Sequence, residues 1–271
     1  MLILADGLRP DAVSPGLMPS LDALGGAFSR AYHARTVRPS ATVAALASLA
    51  TGVGPETHRL VEPGLGFLPG LGALRPVARE LAKFGLPTDI VAASLGAGAF
   101  PVAWALAMAA GARDLVTAGR RARDVAAAAL ERLRRVRDGL LFVYLPDCDQ
   151  AGHAHGWMSD AYLAAAAEID VAVGMLSPVT DDSTLIVTAD HGGGGVVPTE
   201  HDEPHPVNDH IPLVVAGPRV ARNYPINRPV SLLDVPATIL WWFGLEVPAC
   251  FEGQPLADAF ERAQRPAPLA V

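Results

Sequence analysis

The sequence predicts an α/β fold, with a mostly parallel central sheet and helices on both of its faces. Apolar strand-like runs alternate along the chain with Ala- and Leu-rich helical runs, which is the order of elements in α/β proteins. Several of the strand-like runs are apolar throughout, as strands buried on both faces are. With 271 residues, of which 51% are hydrophobic, the chain favours one domain over 1–271, with two smaller domains as the alternative.

The predicted strands are short runs of apolar and β-branched residues. The first two are Leu2–Ala5 and Thr88–Ala92, and the third, Leu140–Leu145, has the sequence Leu-Leu-Phe-Val-Tyr-Leu. A fourth run at 184–188 is rich in β-branched residues, and a last strand is predicted at 213–215. Runs of this length and composition are typical of buried strands.

The predicted helices are the Ala- and Leu-rich runs between these strands. They lie near 19–28, 42–50, 74–84, 103–110, 122–137, 160–176 and 233–243. The uncharged stretch from Ile90 to Ala112 has the length of a membrane span. Because Gly96, Gly98 and Pro101 interrupt it, we interpret it as a buried strand, a turn and a core helix that begins at Pro101, with a membrane span as the minor alternative.

Charge and cysteine content narrow the classes of partner. The net charge of −7 argues against nucleic acid, because a phosphate backbone requires clustered Lys and Arg. The one basic stretch, 119–137, is typical of a solvated helix face. Cys148 and Cys250 match neither a disulfide framework nor a Cys-x-x-Cys site, which fits a reducing compartment. No signal peptide is recognisable, so we expect a cytoplasmic protein without a membrane partner, whose native N-terminus could be longer.

Acidic side chains follow three of the predicted strands at the points where these strands end. Asp6 follows the first strand, Asp149 comes soon after the third, and Asp190 with His191 follows the fourth. Ligands of open parallel sheets bind at the carboxyl ends of the strands. A single acid at such a point is usually a helix N-cap, but three strand ends of this kind indicate a metal site with more than one ion.

Histidines are concentrated in the same part of the sequence. Six of the eight lie between His153 and His210. The segment 192–208 is rich in Gly, Pro, His and acids, and a long loop of this kind is usually functional. Mixed carboxylate and imidazole ligands suit zinc, and manganese or iron is compatible with them. A purely structural role for these acids and histidines is the alternative.

Thr42 is the candidate nucleophile. It precedes a strongly apolar helical run and is therefore expected at the start of a helix. Unsatisfied backbone N–H groups and the positive end of the helix dipole favour an anion or an alkoxide at that point. The alternative is that Thr42, or Ser40, is only an N-cap.

Together these motifs resemble the alkaline phosphatase superfamily, and its type I phosphodiesterase/nucleotide pyrophosphatase branch most closely. The resemblance spans nearly the whole chain and depends on six motifs in the family's order. They are Asp6-Gly-Leu-Arg-Pro-Asp11, Thr42 with Thr51-Gly52, Pro55-Glu-Thr-His58, Asp149-Gln-Ala-Gly-His153, Thr188-Ala-Asp-His-Gly192, and the closing segments 211–218 and 231–256. The resemblance implies a minimal alkaline phosphatase-like core, here without a large cap.

The resemblance also implies two metal sites and a covalent mechanism. One ion would be surrounded by Asp6, Thr42, Asp190 and His191, and the other would be held by Asp149, His153 and His201. His205 is the alternative to His201 as the last ligand. The implied activity is hydrolysis of a small-molecule phosphoester, with a phosphodiesterase- or pyrophosphatase-like reaction through a phospho-enzyme on Thr42.

Departures from the family pattern leave the substrate open. The nucleotide pyrophosphatases carry an Asn downstream of the nucleophile, whereas the segment 59–64 contains none, and Val-Ala-Ala follows Thr42 in place of Phe-Pro-Asn. A phosphomonoesterase or phosphonate hydrolase of the same superfamily, and a non-catalytic metal-containing binding protein, are the alternatives. A sulfatase is disfavoured because threonine cannot form its aldehyde, and a phosphomutase because it would use serine and an inserted domain.

Overall fold

The structure is a computed structural model that describes residues 1–61, 74–95, 99–135 and 138–261. In these residues the strands are β1 (Leu2–Ala5), β2 (Ser29–Arg35), β3 (Thr88–Ala92), β4 (Asp114–Thr117), β5 (Leu140–Leu145), β6 (Leu185–Thr188), β7 (His210–Ala216) and β8 (Tyr224–Pro225). The α-helices are α1 (Pro19–Ala27), α2 (Thr42–Thr51), α3 (Pro55–His58), α4 (Val77–Ala82), α5 (Ala99–Ala109), α6 (Ala122–Leu133), α7 (Asp147–His155), α8 (Asp160–Leu176), α9 (Pro206–Asp209) and α10 (Asp234–Trp242).

The strands form one sheet in the order β4-β3-β5-β1-β6-β7-β2-β8. Neighbouring strands are parallel, except that β7 is antiparallel to both β6 and β2. The predicted α/β fold with a mostly parallel sheet is therefore confirmed. Because β1 lies between β5 and β6 and is parallel to both, the carboxyl ends of these three strands meet at the middle of one sheet edge.

The hydrophobic core is built around the central strands. All four residues of β1 and of β6 are buried. Helices α1, α6 and α7 pack against α8, whereas α2, α4 and α10 pack against one another. By length and composition alone, the helical stretch Asp160–Asp181 could cross a membrane. Its side chains Tyr162, Ile169 and Leu176 are fully buried in the core, which is the position of a core helix.

The structure differs from the prediction at α5. This helix begins at Ala99 rather than at Pro101, and none of its described side chains is buried, so the prediction of a core helix was wrong. Proline is tolerated within the first turn, where its missing N–H costs no helical hydrogen bond. The helix lies along β4, the edge strand, and an edge position leaves it uncovered. The predicted turn around Gly96 and Gly98 lies outside the described residues.

Several elements were not predicted. The sequence of β2 is Ser-Arg-Ala-Tyr-His-Ala-Arg, and its buried positions are small residues, so its strand pattern is weak. The strand β4 has four residues and begins with an acid. The helix α7 has a polar sequence that carries one of the site motifs. Two further predictions lie partly outside the described residues, namely the end of the helix at 122–137 and the segment 59–64.

Candidate metal centre

Three carboxylates converge where the carboxyl ends of β1, β5 and β6 meet. Asp6 directly follows β1, and Asp190 lies two residues after β6, while Asp149 is in the first turn of α7, which starts just after β5. Asp6 and Asp190 are buried, and Asp149 is partly buried. Backbone contacts fix their relation, because Asp149 N donates to Asp6 O at 3.0 Å and Gly7 N donates to Asp190 Oδ1 at 3.1 Å.

Gly7 allows the first turn of α7 to approach β1. Its φ of +70° lies in the left-handed region, which L side chains rarely adopt. A Cβ atom at this position would lie 2.9 Å from Asp149 Cα, so any side chain would push the two carboxylate-bearing segments apart. In the pair Asp6-Gly7, the aspartate therefore supplies a ligand and the glycine allows the segment that carries Asp149 to lie close by.

Asp6, Asp190 and His191 form the first of two metal-binding groups, with ligand atoms within 4.8 Å of one another. The Nε2 atom of His191 lies 3.3 Å from Asp6 Oδ1 and 3.5 Å from Asp190 Oδ2. Thr42 Oγ1 lies 3.2 Å from the same nitrogen. The structure thus brings together the four residues that the resemblance assigned to one ion.

Asp149, His153 and His201 form the second group. Asp149 and His153 are four residues apart on α7 and therefore lie on one face of that helix, with Asp149 Oδ1 3.3 Å from His153 Nε2. His201 Nε2 lies 3.8 Å from the same oxygen and 3.2 Å from His153 Nε2. Asp149 Oδ1 is also 4.0 Å from His191 Nε2, so the two groups are adjacent.

Each histidine of the two groups is oriented by a backbone carbonyl. His153 Nδ1 lies 2.8 Å from Thr199 O, His191 Nδ1 lies 2.8 Å from Gly192 O, and His201 Nδ1 lies 2.5 Å from Ser40 O. A carbonyl can only accept, so Nδ1 carries the proton and the Nε2 lone pair points into the site. This is the arrangement in which histidines bind metals.

The donor set of the two groups fits divalent cations. Asp6 Oδ1, Asp149 Oδ1 and Asp190 Oδ2 are buried and have no hydrogen-bond partner among the described residues, and such orphaned atoms require an explanation. Burial raises the pKa of Asp6 well above its usual range, and the charges of Asp190 and Asp149 raise it further. Burial also raises the pKa of Asp149. A cation between these oxygens would relieve both effects.

The pKa and the packing of the histidines also fit a site for divalent cations. Burial lowers the pKa of His201 to about 4, and the nearby His191 lowers it as well. His201 is therefore neutral at physiological pH, as an imidazole ligand must be. The rings of His191 and His201 are stacked with their centroids 3.9 Å apart, an arrangement that two protonated imidazoles would oppose by charge repulsion.

Thr42 is the first helical residue of α2 and does not act as its N-cap. The N-cap is Ala41, and no side chain caps this helix. Ser40 Oγ instead donates to His201 O at 2.5 Å. The hydroxyl of Thr42 consequently has no capping role and faces the first metal-binding group, beside the free N–H groups of the first turn of α2.

The remaining histidines lie outside the two groups. His205, the predicted alternative to His201, is the N-cap of α9 and accepts from Val207 N at 3.3 Å. The structure therefore places His201, and not His205, next to Asp149. The other histidines lie elsewhere. His155 is exposed on the surface, the ring of His58 is hydrogen-bonded to Ser48, and the rings of His210 and His33 pack against each other.

Two aromatic residues of the site were not predicted from the sequence. The hydroxyl of Tyr144, on β5, donates to Asp6 Oδ2. Trp157 Nε1 donates to Gly7 O at 2.9 Å, and its ring packs against the rings of His153 and His201 at centroid distances of 5.2 and 5.7 Å. The apolar run of β5 contains Tyr144, but only the parallel register of β5 and β1 places it beside Asp6.

Two family models match parts of the chain. Residues 105–247 match the Metalloenzyme superfamily, and residues 1–65 match the type I phosphodiesterase / nucleotide pyrophosphatase family. Curated relatives include phosphopentomutases and a 2,3-bisphosphoglycerate-independent phosphoglycerate mutase from Rhodopirellula baltica, which is 28% identical over 142 residues, 51% of this chain and 26% of that protein. The chain therefore spans less than a third of the length of the curated relatives it matches.

Solved structures match over nearly the whole chain. A phosphonate monoester hydrolase from Silicibacter pomeroyi superposes with a TM-score of 0.73 at 17% identity, covering 94% of this chain and 75% of that one. A second match is murine ectonucleotide pyrophosphatase/phosphodiesterase 5, solved as an inactive Thr-to-Ala variant in complex with AMP. It superposes with a TM-score of 0.72 at 13% identity, and the match covers 96% of this chain and 98% of that one. At these identities the likeness shows the fold alone, and it is the two family models, together with this fold, that confirm the predicted resemblance to the alkaline phosphatase superfamily.

Proposed function

We propose a function for this chain from the finding that it belongs to the Metalloenzyme superfamily: it is a metal-dependent phosphoester hydrolase with Thr42 as its nucleophile. The observation that carries the proposal is the position of Thr42 Oγ1. It lies 3.2 Å from His191 Nε2, at the N-terminus of α2 and beside a cluster of carboxylates and histidines. The inactive Thr-to-Ala variant of the murine pyrophosphatase/phosphodiesterase supports a threonine nucleophile.

In this proposal the two groups hold two divalent cations. Asp6, Asp190 and His191, with Thr42, would hold one, and Asp149, His153 and His201 would hold the other. We propose Zn²⁺, with Mn²⁺ or iron as alternatives, because the ligands mix imidazole nitrogen with carboxylate oxygen. When bound, the cations would lower the pKa of the threonine hydroxyl and of water and stabilise charge on the phosphoryl oxygens.

The chain's own residues perform the bond-making step. Thr42 Oγ1 forms a bond to phosphorus while the bond from phosphorus to the leaving oxygen breaks, which transfers the phosphoryl group to the enzyme. Water then attacks this phosphorus, the bond from phosphorus to Thr42 Oγ1 breaks, and the threonine oxygen regains a proton as the phosphate product leaves. The proton that Thr42 gives up and the proton that the leaving oxygen takes up are both exchanged with water. The positive end of the α2 dipole favours the negative phosphoryl oxygens throughout.

The substrate class is a small-molecule phosphoester. We favour a diester or pyrophosphate, because the first 65 residues match the type I phosphodiesterase / nucleotide pyrophosphatase family. Monoesters and phosphonates are the alternatives, since the solved neighbours include a phosphonate monoester hydrolase. A transfer reaction is a third outcome to test, since the matched curated relatives include mutases.

The test combines metal content with turnover in wild type, Thr42→Ala and Thr51→Ala. Thr51 is a matched control at the other end of α2, where its hydroxyl donates to Ala47 O at 2.7 Å, one turn back in the same helix. We expect two ions per chain in all three proteins, and loss of turnover of bis-p-nitrophenyl phosphate in Thr42→Ala alone by at least about 1,000-fold.

The other outcomes are equally informative. If p-nitrophenyl phosphate or a phosphonate ester is turned over faster than bis-p-nitrophenyl phosphate, the enzyme is a phosphomonoesterase or a phosphonate hydrolase rather than a diesterase. Retention of activity in Thr42→Ala would exclude the threonine mechanism. Wild type that binds metal but turns over none of these esters would favour the non-catalytic binding protein, and failure to bind zinc, manganese or iron would exclude the metal centre altogether.

A further inference from the structure

The helix α5 is an apolar element on the surface of an acidic protein. Its sequence, Ala-Phe-Pro-Val-Ala-Trp-Ala-Leu-Ala-Met-Ala, contains no charged or hydrogen-bonding side chain apart from the indole of Trp104. Val102 is 56% exposed, and Trp104 and Leu106 are each 45% exposed. Single exposed apolar residues are ordinary, but a whole apolar helix turned outward marks an interaction surface.

The helix is too short to cross a bilayer. Eleven residues at a rise of about 1.5 Å each give about 16 Å, roughly half the thickness of the hydrocarbon core. It is also anchored to the folded domain, since it packs on β4 and Arg79 Nη2 donates to Ala109 O at its C-terminal end. Any lipid contact would therefore be made at the membrane surface, with the domain remaining in water.

Basic side chains flank α5 at both ends. Arg79 and Arg113 lie at its C-terminal end and are exposed, although Arg113 also pairs with the buried Asp89. Arg120 and Arg121, also exposed, follow Gly119, whose carbonyl accepts from Ser94 N at 2.7 Å just beyond the carboxyl ends of β3 and β4, and α5 begins on this side of the sheet because it connects these two parallel strands. No ion pair among the described residues involves Arg120 or Arg121.

The charge of this region has the opposite sign to that of the whole chain. Residues 74–121 contain six basic and three acidic side chains, a net charge of +3, in a protein of net charge −7. The basic residues are Arg75, Arg79, Lys83, Arg113, Arg120 and Arg121, and the acidic ones are Glu80, Asp89 and Asp114. An apolar helix between basic ends is complementary to an anionic lipid surface, whose headgroups are negative and whose interior accepts apolar side chains.

We infer that α5 docks the protein on an anionic membrane surface, with Val102 and Leu106, which are four residues apart on one face of the helix, in the headgroup region and with Arg120 and Arg121 on lipid phosphates. A second copy of the chain is a poorer occupant, because a two-fold interface at α5 would bring two positively charged regions together. This inference replaces the expectation of no membrane partner. It is independent of the proposed hydrolase activity, and it is compatible with a cytoplasmic location because cytoplasmic leaflets are anionic.

The test is flotation of the full chain with lipid vesicles. Wild type is expected to bind vesicles of phosphatidylcholine and phosphatidylserine, and to bind pure phosphatidylcholine vesicles much more weakly. Val102→Glu is expected to reduce the binding by about tenfold or more, because it removes a valine from the apolar contact and adds a negative charge. Arg120→Glu/Arg121→Glu is expected to reduce it by a similar factor.

Matched controls separate docking from misfolding. Val171→Glu changes another exposed valine, 45% exposed on α8, and Arg134→Glu reverses another arginine whose side chain is 73% exposed; both are expected to bind vesicles like wild type. The inference is overturned if wild type fails to bind anionic vesicles, or if the control variants lose binding equally. A dimer in solution that Val102→Glu converts to a monomer would assign the face to a second copy and overturn it as well.

Discussion

The central strand β1 and the helix α5, which lies at the β4 edge of the sheet, are both built from apolar sequence, yet β1 is buried and α5 is largely exposed. The central strand β1 is fully buried and ends in the candidate metal centre. The helix α5, which packs on the edge strand β4, exposes Val102, Trp104 and Leu106. A central strand has a neighbour on each side, whereas an edge element lacks one. Apolar content therefore predicts that an element forms, but position in the sheet decides what that element contacts.

The largest expected effect on stability comes from truncating an apolar side chain to alanine in β1, compared with the same change in α5. Ile3→Ala removes a fully buried side chain of β1 and is expected to lower the free energy of unfolding by about 4 kcal/mol, through lost burial and the cavity it leaves. Leu106→Ala, on exposed α5, is expected to cost about 0.5 kcal/mol. Urea denaturation measures both. Similar losses in the two variants would show that α5 is as much a part of the cooperative core as β1.

The second contrast uses two glycines with the same backbone conformation. Gly7 and Gly85 have φ values of +70° and +72°, but a Cβ at Gly7 would meet Asp149, whereas a Cβ at Gly85 would meet nothing within 4 Å. Gly85→Ala is expected to cost about 1 kcal/mol for the left-handed conformation alone. Gly7→Ala is expected to cost about 3 kcal/mol, because the clash is added.

Unfolding in urea gives the stability of the two glycine variants, and zinc titration gives their metal affinity. Gly7→Ala should also weaken zinc binding, since it displaces Asp149 from Asp6, whereas Gly85→Ala should bind zinc like wild type. If Gly7→Ala binds zinc with unchanged affinity, the close approach of these two segments does not define the site.

The same two regions explain what could be predicted from the sequence. Asp6, Asp149 and Asp190 could be placed together because each follows an apolar run, and parallel strands bring their carboxyl ends to one edge. His201 was chosen over His205 by resemblance, and its position next to Asp149 is a product of the loop 192–205, whose path no local pattern encodes. Tyr144 could not be found, because the pairing of β5 with β1 is a long-range register.

The elements that the sequence failed to predict lie mostly away from the centre. The buried positions of β2 are small residues in a polar sequence, and β4 has only four residues, so neither has a strong strand period. The prediction of α5 as a core helix failed for a different reason. Its apolar pattern is strong, but it packs on the edge strand β4 and is exposed because of that position in the topology. Local periodicity thus succeeded where many neighbours enforce burial, and it failed at the margins of the sheet, where few do.

The smallest contrast concerns two tyrosine hydroxyls. Tyr144 donates to Asp6 Oδ2 in the centre of the sheet, and this leaves Oδ1 as the free oxygen that lies 3.3 Å from His191 Nε2. The hydroxyl of Tyr32, on β2, is buried and has no hydrogen-bond partner among the described residues. Tyr144→Phe is expected to weaken zinc binding by about tenfold, because Asp6 would lose the contact that orients it for a cation. Tyr32→Phe is expected to leave zinc affinity unchanged.

Competition with a chromophoric chelator measures the zinc affinity of both tyrosine variants without reference to turnover. Thermal unfolding of the metal-free proteins serves as the control for general damage: Tyr32→Phe should unfold close to wild type, and Tyr144→Phe should lose only the stability of its one hydrogen bond to Asp6, about 1–3 kcal/mol. A zinc affinity of Tyr144→Phe equal to that of wild type would show that Asp6 is held by burial and by its backbone alone. A loss confined to Tyr144→Phe would show that the central strands supply the support of the metal centre as well as its ligands, because the hydroxyl comes from β5 and the carboxylate from the end of β1.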